Sequence, residues 1–323
     1  MYFINMKRLF TLLLLSLHLV AATAQVQAFM KLWDNKHTYP RINQIEFQGD
    51  VPTLDSYNAI YGHGAMMENE YWGLRVYMDH RQSIDLFGKS GRQLELHLTN
   101  FYSTREDLAK GLGCDILWAG QSVAAGSLRG FIPDGTDADG IMTGHTVYVD
   151  TVAARGQRIM REGPDTCAVM VWDRDWMFNG HKIYMQQVYC MRKGSRELEV
   201  DIYFKGETED DYFATGVQKL EIGNQGFIEM MGRPEVDPRN AAMLLASWGR
   251  NVPDKNAPDL VEGVGIGVKV PLQYVVTTLE TDIDYLAVLQ PVNHHISYTL
   301  SVCSLREKEG PKTAEDWFNL LRK

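Results

Sequence analysis

Residues 61–89 read YGHGAMMENEYWGLRVYMDHRQSIDLFGK, and the run from Tyr71 to Met78 at its centre decides the fold class. At period two, Trp72, Leu74, Val76 and Met78 fall on one face, while Tyr71, Gly73, Arg75, Tyr77, Asp79 and Arg81 fall on the other. A bulky apolar face opposite a polar one is the pattern of a β-strand with one side against a core. The polar side interleaves rings and charges around a glycine. That composition suits a saccharide, because rings pack on the apolar faces of pyranoses and planar guanidinium groups fork onto carboxylates. An ordinary solvated face with cross-strand ion pairs shares the pattern. The functional reading is favoured by the loop just upstream, whose His63, Glu68 and Glu70 are placed to overhang the polar face.

The same periodicity recurs outward along the chain. Ser83–Phe87, Gln93–Leu98, Thr146–Asp150, Thr166–Trp172, Lys182–Met191, Glu197–Phe204, Gly267–Leu279, Tyr285–Leu289 and His295–Cys303 all read as strands. Turn clusters separate them at Gly88-Lys89-Ser90-Gly91, Asp134-Gly135-Thr136-Asp137, Asn179-Gly180 and Lys193-Gly194-Ser195. Many short strands joined by hairpins predict an all-β antiparallel sandwich or barrel with few short helices. One helix is expected near the C-terminus, where Thr313 and Asp316 form a capping box before Trp317, Phe318, Leu320 and Leu321. Another begins near Ser103 and stops at Gly111 or Gly113.

At the other end, Lys7 and Arg8 precede an apolar run from Leu9 to Val20. Its length, about a dozen residues, fits a signal-peptide core and is too short to span a bilayer. The pattern Ala22-Thr23-Ala24 puts cleavage after Ala24, giving a leader at 1–24 and one mature β domain at 25–323. No Cys stands at the junction to accept a lipid, and no later apolar run reaches eighteen residues. The expectation is a periplasmic chain with no membrane anchor. Removing Lys7 and Arg8 moves the formal charge from −9 to −11, with 30 basic against 41 acidic residues. Nucleic acid is therefore not an expected partner, and an anionic substrate would need a few local Arg or Lys residues. Nothing in the sequence speaks to oligomeric state.

Cys114, Cys167, Cys190 and Cys303 are widely spaced and match no zinc pattern. One or two disulfides and buried free thiols remain equal alternatives, and a catalytic Cys is not expected. The spacing of His63, Glu68 and Glu70 matches no defined metal motif, so no metal and no cofactor are called for. His145, in Thr143-Gly144-His145-Thr146, sits at a strand mouth beside an Asp/Gly-rich loop, which suits a catalytic imidazole. Of the pair at 294–295, His295 shares parity with Ser297, Thr299 and Ser301 and is the candidate for a polar cleft; His294 shares the apolar parity of Ile296 and Tyr298. Gly120–Gly130 lacks the Gly-Lys-Ser/Thr of a phosphate loop, and no G-x-S-x-G elbow points to an esterase.

Residues 61–89, with Gly113-Cys114-Asp115 and Gly120–Gly130, resemble a family of secreted proteins that carries a domain-of-unknown-function label and occurs in polysaccharide-utilisation gene clusters of gut and marine bacteria. The resemblance spans nearly the whole mature chain. It implies a galactose-mutarotase-like antiparallel β-supersandwich. For a relative acting on ulvan oligosaccharides, it implies a dehydratase that removes water from a non-reducing-end uronic acid to leave a 4,5-unsaturated sugar.

That chemistry requires a group to neutralise the uronate carboxylate, a base for the C5 proton and an acid for the departing O4. Arg75 or Arg81 could clamp the carboxylate, both being read as free of the core. His63, Tyr71, Tyr77 and His145 are candidate acids and bases, and Glu70 or Asp79 could orient an imidazole or an Arg. His63, Tyr71 and His145 are the expected catalytic residues. Glu70, Arg75, Tyr77, Asp79, Arg81 and His295 are the expected contacts to an acidic oligosaccharide. A polysaccharide lyase, a hydrolase using Glu70 and Asp79, and a non-catalytic glycan-binding protein are the alternatives.

Overall fold

The computed structural model describes residues 26–33, 38–49, 57–235 and 240–323, so the expected cleavage site lies outside the described residues. Every strand pair is antiparallel, and the strands form three sheets of six, nine and five. The six-stranded sheet runs in the order Arg41–Ile42, Gln27–Lys31, Gly64–Glu68, Trp72–Tyr77, Ile84–Gly88, Cys114–Asp115. The nine-stranded sheet is built round Glu197–Lys205, His181–Arg192 and Thr166–Phe178 on one side of His295–Ser304, and Glu262–Pro271 and Ala242–Asn251 on the other. The five-stranded sheet centres on Asp284–Leu289, Tyr212–Gln218 and Arg129–Thr136. This is the expected all-β antiparallel architecture.

The alternation read from the sequence sets the layers. Trp72, Leu74 and Val76 of the first sheet join Val200 and Leu300 of the second and Phe213 of the third in one apolar cluster. Burying such side chains contributes roughly 1.5–3 kcal/mol each, which makes this cluster the main source of stability. Asn179-Gly180 forms a two-residue hairpin between Phe178 and His181, with both residues at positive φ (50° and 83°). Those angles give the turn the twist of its flanking strands, and Asn and Gly tolerate them best. The C-terminal helix spans Ala314–Leu321, and the Thr313 hydroxyl accepts the Asp316 N–H as expected. Trp317 and Leu321 lie over Gly265 and Gly267. A Cβ on either glycine would come within 3 Å of the helix side chains, so hydrogen at these positions is what lets the helix dock.

Some elements differ from the sequence reading. Gln93–Leu98 is not a strand. It leads into a single helical turn, Leu96–Thr99, whose first N–H groups at Glu95 and Leu96 donate to Glu68 Oε1. Leu96 then packs with Phe29, Met66, Phe87 and Phe101 on the outer face of the six-stranded sheet. The run Gly267–Leu279 is two strands, because Pro271 has no N–H for the ladder and a 3₁₀ turn at Leu272–Tyr274 follows it. Gly64–Glu68 and Tyr212–Gln218 carry no strand signal in the sequence because both their faces are buried, which erases the polar half of the alternation. The short second helix is Arg105–Ala109, capped by Thr104 and Asp107. The four cysteines are free thiols, and burial pushes those of Cys114, Cys167 and Cys303 up.

Candidate functional site

Register brings the first charged pair together. Arg75 on Trp72–Tyr77 faces Asp85 on Ile84–Gly88. Its Nε and Nη2 lie 3.0 and 2.7 Å from Asp85 Oδ2, and both side chains are almost wholly buried. Tyr77 donates its hydroxyl to the same Asp85 oxygen at 2.7 Å. Arg75 Nη1 reaches Gly62 O at 3.3 Å, and Nη2 reaches Asp115 Oδ2 at 3.3 Å. The guanidinium carbon lies 4.2 Å from the Phe101 ring centre, 4.9 Å from that of Tyr77 and 5.1 Å from that of Tyr102. Phe101 and Tyr102 belong to the segment that folds over the outer sheet face. The polar face read from the sequence is thus roofed by rings, and Arg75 is a structural hub instead of an open clamp.

Arg81 lies beyond the strand end and keeps a third of its side chain exposed (33%). Its Nε and Nη2 bond Asp79 Oδ2 at 2.7 and 2.5 Å, while its guanidinium carbon sits 5.4 Å from the Tyr57 ring and 5.2 Å from the Tyr77 ring. Asp79 is fully buried and accepts the Arg81 and Gln82 N–H groups as well, so it orients Arg81 and has no free face for substrate.

Tyr57, Arg75, Tyr77, Arg81, Tyr102 and Trp118 line a cleft of about 470 Å³. His63 backs its wall. The imidazole stacks on Tyr57 with ring centres 3.7 Å apart and meets Tyr102 edge-on at 6.0 Å. Its Nδ1 lies 2.9 Å from Tyr57 O, and since a carbonyl only accepts, the proton is on Nδ1 and Nε2 keeps its lone pair. Burial lowers the His63 pKa to about 4, and nearby Arg75 and Arg81 act in the same direction against the opposing Tyr57 hydrogen bond. At neutral pH this is an uncharged base. Asp115 lines the same cleft. Withdrawal from water, then the negative Asp85 beside it, hold its carboxyl well above the usual range despite Arg75. Behind the Tyr57 ring the cleft thus has a neutral imidazole, and on its lining a carboxyl inclined to keep its proton.

Of the expected residues, Arg75, Tyr77, Asp79, Arg81 and His63 converge here. The others do not. Tyr71 stands at the opposite end of its strand, its ring 4.5 Å from the Arg92 guanidinium and 4.4 Å from that of Arg196. Glu70 turns to accept the Gly194 N–H. The pairing of Glu70 with Asp79 in a hydrolase is thereby broken, because one strand holds them at its two ends. Glu68 is consumed by Lys89, Gln27 and two backbone N–H groups, and no metal-binding cluster occurs among the described residues. His145 faces Asp134 on the five-stranded sheet, largely exposed. His295 lies on the nine-stranded sheet between Asp201 and Tyr274, and His294 sits in the preceding turn at φ 59° instead of in the strand. Asp85, Tyr57, Tyr102 and Trp118 are not candidates from the sequence, and Asp115 enters there only within Gly113-Cys114-Asp115. Asp85 left a signal, as a lone charge inside the apolar run Ile84–Phe87; the rings come from distant segments and left none.

Fold and cleft define an all-β antiparallel protein with an aromatic, arginine-bearing pocket at one edge of its six-stranded sheet. The chain belongs to the family of the domain of unknown function DUF4861, whose model matches residues 5–323. No curated protein matches it. Among solved structures it is similar to a candidate aldose 1-epimerase from Klebsiella pneumoniae, at 9% identity and a TM-score of 0.39, covering 87% of this chain and 91% of that one. It is also similar to a TPR-domain containing protein from Parabacteroides distasonis, at 9% identity and a TM-score of 0.37, covering 91% of this chain and 58% of that one. Residue roles accordingly rest on this chain's own geometry.

Proposed function

We propose that the cleft binds the uronic acid at the non-reducing end of an acidic oligosaccharide and eliminates water from it. The observation that carries this reading is Arg81, a half-open guanidinium held in place by buried Asp79 and flanked by the Tyr57 and Tyr77 rings. A fixed planar cation beside aromatic walls suits a carboxylated pyranose. The substrate carboxylate pairs with the Arg81 edge that Asp79 does not occupy. His63 Nε2 takes the C5 proton, whose acidity rises as the carboxylate is neutralised. The electron pair forms the C4–C5 double bond, the C4–O4 bond breaks, and O4 leaves as water with the Asp115 proton. His63 and Asp115 then return to their starting states by exchange with solvent. Arg75 and Asp85 position the floor and touch no reacting atom. With the leader read from the sequence, the work is done outside the cytoplasm on fragments of a polysaccharide.

Incubation of the purified protein with uronate-ended oligosaccharides tests this directly. The expected product is lighter by one water and absorbs near the far-ultraviolet edge. Shorter saccharides without that absorbance would show hydrolysis, and binding without any new product would reduce the protein to a glycan receptor.

A further inference from the structure

The nine-stranded sheet turns one face to the core; the C-terminal helix covers part of the other, and beside the helix runs a trough that shares no lining residue with the arginine cleft. Antiparallel register sets its floor in rows. Glu197 and Gly267 flank Ser301, Glu199 and Lys269 flank Thr299, Asp201 neighbours Ser297, and Tyr203 neighbours His295. Two cavities of about 340 and 400 Å³ lie over these rows and have Lys269 and Thr299 in common. They form one trough along the strands. Along the His295–Ser304 strand the lining runs from Ser301 to Ser297, roughly 14 Å at about 3.4 Å per residue.

The groups along it have a consistent chemistry. Ser297, Thr299 and Ser301 present hydroxyls at every second position of one strand. Just beyond one end of the lined part, two residues along the strand from Ser297, the Tyr203 ring is 47% exposed and stacks on His295 at 4.8 Å. At the other end Trp317 lines the trough, and its buried indole Nε1 has no hydrogen-bond partner. Glu199 is matched by Arg192 and Arg196 by Glu307, and Asp201 lies 2.9 Å from His295 Nε2. Glu197 stands exposed at the rim. Lys269, half-buried at the centre and common to both cavities, has no ion-pair partner among the described residues.

We infer that this trough is a second saccharide site, which binds the body of a linear, carboxylated oligosaccharide. Lys269 takes a carboxylate, the hydroxyl ladder meets sugar hydroxyls, and the Tyr203 ring packs on a pyranose face. A chain of several sugars fits its length, whereas the cleft takes a chain end.

Titration calorimetry with a hexamer of 1,4-linked galacturonate, and with cellohexaose as the neutral counterpart, tests the inference on the purified protein. The acidic hexamer is expected to bind and the neutral one not. Lys269→Met should weaken binding about tenfold or more, as expected for loss of a charge-assisted contact, while Lys269→Arg should retain it. The hexamer should also protect Lys269 from acetylation, read by mass spectrometry. The chain end of the hexamer also reaches the cleft, so the Lys269 variants are compared in the Arg81→Gln background, where the Lys269-dependent part of hexamer binding should persist. Undiminished binding by a folded Lys269→Met protein, equal binding of cellohexaose, or unprotected Lys269 would overturn the trough. Loss of hexamer binding in Arg81→Gln would overturn it too and leave the cleft reading standing. Turnover without hexamer binding to the trough would do the same.

Discussion

Arg75 and Asp85 form a buried ion pair across two adjacent strands, with 2.7 Å between Nη2 and Oδ2, and Tyr77 closes the pair from the cleft side. A lone buried charge is far more costly than a matched pair, so each partner depends on the other.

Replacing Arg75 by Ala should therefore unfold the protein more easily, by about 3–5 kcal/mol, because Asp85 is left buried and uncompensated. The double change Arg75→Met with Asp85→Leu should recover most of that loss. Denaturant titrations of the three proteins measure it, and equal stability of wild type and Arg75→Ala would contradict the pairing.

Arg81 should behave differently. Its side chain is partly exposed, Gln can still donate to buried Asp79, and Asp79 keeps its backbone partners, so Arg81→Gln should cost less than Arg75→Ala, about 1–3 kcal/mol. Loss of a charge-assisted contact to a substrate carboxylate is worth about 1.5–3 kcal/mol, or roughly 10- to 150-fold in kcat/KM. Steady-state kinetics on uronate-ended oligosaccharides, beside thermal melts, separate the two effects.

His63 gives a pH signature. Its pKa is depressed to about 4 in the fold, against about 6.5 when unfolded. The unfolded chain thus binds more protons between these values, and the stability present above pH 6.5 is lost as pH falls towards 4. If His63 is the base, turnover should persist to well below pH 6 and fail near 4. His63→Gln should flatten its share of the stability profile and lower turnover by on the order of 10²–10⁴-fold.

Glu95 has the reverse sign. Burial raises its pKa to about 7, against an unfolded value near 4.3. Here the folded chain holds the extra proton, so stability present below pH 4 declines as pH rises through 7. Glu95 accepts the Gly113 N–H and stands at the start of the segment whose Phe101 and Tyr102 roof Arg75. Glu95→Gln should keep that contact and remove the decline, as read by denaturant midpoints at pH 5 and 8.

Much of the architecture is legible in the sequence. The alternation at Trp72–Val76, the Asn179-Gly180 turn and the Thr313 cap are local signals, and each acts within a few residues of itself. Parity also put Arg75, Tyr77 and Arg81 on one face, and His63 was placed by its position in the loop just upstream. Parity could not say that Tyr71, on the same face, belongs to a different neighbourhood, because parity fixes a face and not a position along it.

What the sequence by itself determined was which side of each exposed strand is apolar, and hence an all-β antiparallel protein with few helices. The tertiary structure decided that Arg75 is sealed under Phe101 and paired with Asp85 while Arg81 faces an opening, and that His295 lies on another sheet. Burial and electrostatics at a site depend on segments far apart in the chain: Tyr57, Phe101 and Trp118 meet only because three loops converge on one sheet edge. The energy of a charge is set by those neighbours, and local periodicity carries no record of them.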